Sequence, residues 1–190
     1  VAVISVTPYV AIDPELFLVG APQAYYGLNA WSETTAIPMR YIGNGTTKIF
    51  EAYVKVAAGE GFKFVDTQSW ANGNFGTIGG VQNGDLENGG GSGDIKVAET
   101  DGSGLYYVWV DINNLKYKAI KMNWGIIGDA TPGSWSNETP MTYDFASNTY
   151  TYTGALTAGE LKLRARNVSQ AVYNEDWKFA VGNSTEQFAY

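Results

Sequence analysis

The chain contains no cysteine and no histidine in 190 residues. The first absence removes disulfides, thiolate chemistry and most zinc sites. The second removes the commonest general base, and with it the Ser-His-Asp and Cys-His arrangements. Charge is scarce as well, at 16% of residues, where globular chains carry about 25%. What charge there is leans acidic: 12 Lys+Arg stand against 19 Asp+Glu, for a net charge of -7 and a pI near 4.5. That balance disfavours nucleic-acid backbones and anionic membranes as partners, since both demand a positive surface. No apolar run approaches the roughly 20 residues that span a bilayer. There is no signal-peptide pattern and no cysteine to carry a lipid, so we expect a mature fragment whose membrane attachment, if any, is a lipid anchor outside this chain.

Turn formers and aromatics are plentiful, with 23 Gly, 13 Tyr and 6 Trp. Together with the low charge they suit an all-β secreted or surface protein. The most telling stretch is Ala158-Gly159-Glu160-Leu161-Lys162-Leu163-Arg164-Ala165-Arg166, which reads as a turn and a strand. Successive strand side chains alternate sides, so Lys162, Arg164 and Arg166 share a face with about 7 Å between neighbours. Three cations that close repel unless something answers them.

The same element occurs earlier as Ala58-Gly59-Glu60-Gly61-Phe62-Lys63-Phe64. A Pro-Met pair precedes each (Pro38-Met39 and Pro140-Met141), a tryptophan lies upstream (Trp31 and Trp135) and another downstream (Trp70 and Trp177). An ordered set of matches at a nearly constant offset indicates internal duplication. We therefore expect two tandem β-sandwich domains. Residues 1–12 read as the last strand of, or linker from, a preceding immunoglobulin-like domain, with an ordinary N-terminal edge strand as the equal alternative. Residues 13–121 form the first sandwich and 122–190 the second. Repeat two stops earlier than repeat one relative to the motif, so we expect its closing strands to come from outside this sequence or from another chain.

Alternation in Ile49 to Ala57 and in Leu105 to Ile112 predicts half-buried antiparallel strands. Phe50, Ala52, Val54, Val56, Tyr106, Val108 and Val110 face inward, leaving Tyr107 and Trp109 outward, where packing on the neighbouring domain is favoured over sugar contact. Gln68 to Gly93, rich in Gly and Asn, predicts a long loop or a set of hairpin turns. Its Asp and Asn residues show no regular Ca²⁺ spacing.

The candidate functional residues are Trp31, Lys63, Trp70, Trp135, Lys162, Arg164 and Trp177. Trp31 and Trp135 sit among small polar loop residues, which core packing explains poorly. A pyranose ring presents axial C–H groups that stack on indole, and the indole N–H reaches a hydroxyl. The alternative is a loop tryptophan folded back as a lid. Trp70 and Trp177 read equally well as the second wall of such a platform or as core anchors. Lys63, Lys162 and Arg164 are candidate donors to vicinal hydroxyls, Arg through its planar fork. The bland alternative is that Glu175 and Asp176 neutralise the cationic row in surface pairs of little energetic weight. The acids are scattered with no paired context, so no catalytic residue, metal or cofactor is expected, and the chain is read as a non-enzyme.

These residues resemble a known family. Phe17-Leu18-Val19-Gly20, Trp31, Ile37-Pro38-Met39, Ala58-Gly59-Glu60, Phe62-Lys63-Phe64, Trp70 and Asn74-Phe75-Gly76 look like one domain of the SusE/SusF outer-membrane lipoproteins of Bacteroidetes. Ile126 to Gly133, Trp135, Pro140-Met141, Ala158 to Arg164 and Trp177 look like the next. Val6 to Tyr9 is similar to the end of the immunoglobulin-like domain that precedes such modules. The resemblance implies carbohydrate-binding-module-like β-sandwiches that bind starch without catalysis on the outer face of the outer membrane. It also implies work beside a TonB-dependent transporter and a SusD-like lipoprotein in polysaccharide utilisation. By motif position it assigns the aromatic platform and its cation to Trp31, Lys63 and Trp70 in repeat one. In repeat two it assigns them to Trp135, Lys162 or Arg164, and Trp177. Val65 stands where repeat two has Arg164, a departure that leaves the first site with fewer donors. The rival reading, from a different class, is an assembly protein that joins subunits by strand addition.

Overall fold

The computed structural model describes residues 13–80 and 82–165, and the backbone of a strand at Trp177–Ala180. The expectations placed on Val1 to Val10, Arg166, Glu175, Asp176 and the Trp177 side chain lie outside the described residues. The described fold is all-β and sandwich-like. A large antiparallel sheet curls nearly into a barrel.

Repeat one supplies β1 (Phe17–Gly20), β2 (Ile37–Pro38), β3 (Arg40–Tyr41), β4 (Ile49–Val56), β5 (Gly61–Val65), β6 (Phe75–Thr77), β7 (Gly84–Asn88), β8 (Ile95–Lys96), β9 (Gly104–Asp111) and β10 (Lys116–Lys121). The order is β2-β1-β5-β6-β7-β10-β9-β4-β3, with β8 also paired to β5. β7 closes the curl. Its Leu86–Asn88 half pairs with β6 and its Gly84–Asp85 half with β10. Gln68 to Gly93 is thus a set of hairpins. The alternating apolar residues of β4 and β9 meet Leu18, Phe62, Phe64, Phe75 and Ile95 from the opposite half in one core. Each such fully buried side chain is worth about 1.5–3 kcal/mol relative to an exposed one.

Repeat two supplies β11 (Gly125–Ile127), β12 (Thr139–Pro140), β13 (Thr142–Asp144), β14 (Thr149–Thr151), β15 (Lys162–Ala165) and β16 (Trp177–Ala180). Strands β12-β11-β15-β16 form one sheet, and β13-β14 form a hairpin. The registers of the two repeats coincide. Lys63 pairs with Val19 and Lys162 with Ile127, each one residue before a glycine. The Met39 N–H donates to the Leu16 carbonyl at 2.9 Å, and the Met141 N–H to the Trp124 carbonyl at 3.0 Å. The glycines match too. A Cβ on Gly20 would lie 2.5 Å from the Gly61 carbonyl oxygen, and one on Gly128 would lie 2.2 Å from the Glu160 carbonyl oxygen. Both have positive φ, 155° and 141°, so only glycine fits where β1 crosses β5 and β11 crosses β15.

The outward face of β4 and β9 is covered. Tyr107, Met122 and Ala165 form a second buried cluster with Tyr53, Trp109 and Trp124 around it, so repeat two packs on repeat one through this face. Glu51, on the outward face of β4, is buried as well, held by an ion pair with Arg40 and by the Tyr107 hydroxyl, which donates at 2.8 Å. A cavity of about 320 Å³ remains at this junction, walled by Tyr53, Met122, Trp124, Met141, Tyr150 and Leu163 among others. The β13–β14 hairpin extends the contact. Phe145 meets Tyr25 edge-on at 5.1 Å between centroids. The Lys55 ammonium lies 4.8 Å from the Phe145 centroid and 5.4 Å from that of Tyr25, and donates to the Ala146 carbonyl at 3.4 Å.

Candidate functional site

β1 ends at Gly20, and the chain turns through a short 3-10 segment, Ala21–Tyr26, into the loop that carries Trp31. Gln23 holds this loop. It is fully buried. Its Oε1 accepts from the Gly20 N–H at 2.8 Å, while Nε2 donates to the Ser32 carbonyl at 2.9 Å and to Thr35 Oγ1 at 3.1 Å. Trp31 sits between those anchors. Its N–H donates to the Gly20 carbonyl at 3.3 Å, and its φ is 61°. A left-handed conformation is unfavourable by roughly 1–2 kcal/mol for a residue with a Cβ. The loop holds Trp31 there all the same, and the residue is 38% exposed. Tyr26 and Leu28, on the same loop, are exposed as well.

Repeat two builds the matching loop with other residues. Thr131 is buried, and its hydroxyl and N–H both donate to the Gly128 carbonyl at 2.9 Å. Ser134, just before Trp135, takes the left-handed φ of 50°. Trp135 is 42% exposed. In both repeats, then, a tryptophan stands out of a loop pinned to the glycine that ends the first strand.

The cations divide. The Lys162 ammonium lies 5.8 Å from the Trp135 ring centroid, within cation–π reach. Arg164 is buried on the same strand and pairs with Glu138 at 3.2 Å. The acid that answers it therefore comes from the loop after Trp135. Lys63, by contrast, is only 6% exposed and donates to the Ser92 carbonyl at 2.8 Å. Burial pushes its ammonium below the usual lysine range, against the pull of the Asp94 carboxylate.

The downstream tryptophans do not correspond. Trp70 stands on a 3-10 turn, Trp70–Asn72. It is half-buried against Val19, Ala36, Val65 and Phe17 on the outer face of β1 and β5. The Trp177 backbone lies in β16, paired with Ala165. The structure thus brings Trp135 and Lys162 together, and puts Trp70 on the strand face that carries Lys63. Sequence reasoning missed Gln23, Thr131 and Glu138. The first two share a signal, a polar residue three positions after the strand-ending glycine.

No family model matches the chain, and no curated protein does. Among solved structures, the crystal structure of SusF from Bacteroides thetaiotaomicron is similar at 20% identity and a TM-score of 0.49, covering 90% of this chain and 40% of that one. The chain thus spans well under half the length of that neighbour.

Proposed function

We propose that this protein captures polysaccharide at a cell surface without altering it, with α-glucan the favoured substrate. One observation carries the reading. Two loop tryptophans, exposed at 38% and 42%, stand at corresponding places in the two repeats, each on or beside a left-handed residue. Unfavourable backbone geometry at an exposed aromatic in one repeat and next to one in the other, with different anchoring residues, supports a ligand platform over core packing. Trp31 is the platform of repeat one. Trp135 is that of repeat two, with Lys162 as hydrogen-bond donor. Trp70 and Trp177 are the candidate second walls, and Arg164, braced by Glu138, is a candidate second donor.

Stacking one sugar ring on indole contributes about 1 kcal/mol beyond area burial, so each platform alone is weak. Two platforms on one chain raise the effective concentration for a polymer that reaches both. The setting that goes with this reading is the outer face of an outer membrane, where the captured glycan is passed to a TonB-dependent transporter alongside a SusD-like lipoprotein. The test is affinity electrophoresis through gels containing amylopectin, pullulan, dextran, inulin or xylan, with Trp31→Ala and Trp135→Ala alongside. Retardation by the α-1,4-glucans, reduced by either substitution and removed by both, is expected. No retardation in any gel overturns the proposal.

A further inference from the structure

The sequence places Lys63 and Lys162 at the same point of the same motif, and the strand register agrees. Their surroundings do not. The Lys63 side chain crosses β6 over Gly76, where a Cβ would lie 2.7 Å from Lys63 Cε and 2.8 Å from Ser92 Oγ. Only a residue without a side chain leaves that passage open. Beyond it the ammonium reaches the Ser92 carbonyl.

Ser92 belongs to a turn that contains Gly89, Gly90, Gly91 and Gly93, a segment with unusually high entropy to lose on ordering. The turn is nevertheless stitched down. Ser92 Oγ donates to the Gly89 carbonyl at 2.7 Å, the Gly93 N–H to the Thr77 carbonyl at 3.0 Å, and the Thr77 N–H to the Gly93 carbonyl at 2.8 Å. Lys63 adds a charge-assisted bond from beneath, of the stronger kind. In repeat two the lysine stays half-exposed and lies over an exposed indole.

We infer that the two repeats recognise ligand differently: Lys63 is a clamp on the Gly89–Gly93 turn and touches no glycan, while Lys162 with Trp135 forms the hydrogen-bonding site. Repeat one then offers the exposed Trp31, whose indole takes apolar sugar faces with little selection among hydroxyl patterns. Repeat two reads hydroxyls and sets specificity. This rests on the glycan reading above.

Two measurements test it, one on the unmodified protein and one on variants. The first is lysine acetylation followed by mass spectrometry, with and without amylopectin oligosaccharides. A buried, bonded amine reacts only through local opening. Lys63 is expected to react at least about tenfold more slowly than Lys162, at a rate the glucan leaves unchanged, whereas Lys162 is protected by the glucan. The second is hydrogen exchange in Lys63→Met and Lys162→Met, read beside their retardation in amylopectin gels. Lys63→Met loses amide protection at Gly89 to Asp94 and keeps its retardation within about twofold, while Lys162→Met keeps that protection and loses at least about fivefold.

Glucan protection of Lys63 from acetylation, or a Lys63→Met chain that keeps the turn protected yet loses retardation, overturns the inference. If Lys63→Met does not fold, the acetylation pattern alone decides. Absence of any glucan effect on the unmodified chain overturns the glycan reading, whereas fast acetylation of Lys63 overturns the clamp separately.

Discussion

Gln23→Ala removes the post on which the Trp31 loop is built. The amide makes three hydrogen bonds, at 2.8, 2.9 and 3.1 Å, from a fully buried position. At a net contribution of about 1 kcal/mol each, their loss comes to about 3 kcal/mol. The Gly20 N–H, left buried without its acceptor, weighs toward the upper end of that range. In a chain of this size each kcal/mol moves the melting temperature by about 2–4 °C, so a drop of about 6–12 °C is expected. Urea denaturation gives the free energy directly, with the slope unchanged. Hydrogen exchange gives the location, through faster exchange from Gly27 to Ala36. Gln23→Glu separates the roles: its carboxylate still accepts from Gly20 but cannot donate to Ser32 or Thr35, so it also destabilises at neutral pH. A loss below about 1 kcal/mol for Gln23→Ala, with Gly27 to Ala36 as protected as before, would refute the assignment of Gln23 as the loop's anchor.

Other expectations follow from the same geometry. Gly128→Ala forces a Cβ to 2.2 Å from the Glu160 carbonyl oxygen at a φ of 141°, and should destabilise by more than about 2 kcal/mol in thermal or urea unfolding. Phe145→Ala strips the ring from the Lys55 and Tyr25 contacts of a half-buried hairpin. It should lower stability by about 1–2 kcal/mol and speed amide exchange in β13 and β14. Burial, aided by the negative charge of Asp101 for Tyr106 and of Glu60 for Tyr25, pushes both phenols up to about 12. The folded state thus keeps protons that the unfolded chain sheds near pH 10. The stability these tyrosines contribute is full below pH 10 and is lost as pH rises toward about 12, by up to about 1.4 kcal/mol per pH unit for each. Lys63, held below its ordinary value, acts in the opposite direction just below pH 10.5, as one group against several. Urea midpoints at about pH 9 and pH 11 should therefore fall, less steeply in Tyr106→Phe, and a flat profile would count against the burial of these phenols.

Much of this fold was legible from spacing. The alternation in β4 and β9 marked their inward residues, because a strand with one buried face repeats every second residue. The matched glycines and Pro-Met pairs marked two stretches that share one strand register, because the same short-range contacts need the same residues in the same order. The loop context of Trp31 and Trp135 marked them as outward, since each is surrounded by residues too small and polar to build a core.

What lay out of reach depends on who the neighbours are. Alternation put Tyr107 and Trp109 on the outward face, where packing on the neighbouring domain was expected, but the burial of Glu51 against Arg40 and Tyr107 and the contact of Lys55 with the β13–β14 hairpin became visible only with the chain folded. Gln23 and Thr131 are single polar residues with no periodicity, and they acquire their roles from loops brought back across a strand end. Trp70 and Trp177 each follow their motif in chain order yet stand on different elements, because order along the chain does not say which residues a sheet takes in. Lys63 and Lys162 make the point most sharply. The motif put both lysines on the same strand position, and there the sequence's authority ended. Gly76 and Ser92 draw one inward and Trp135 holds the other at the surface, because the energy of an ammonium group is set by the solvent, carbonyls and rings that tertiary packing places around it.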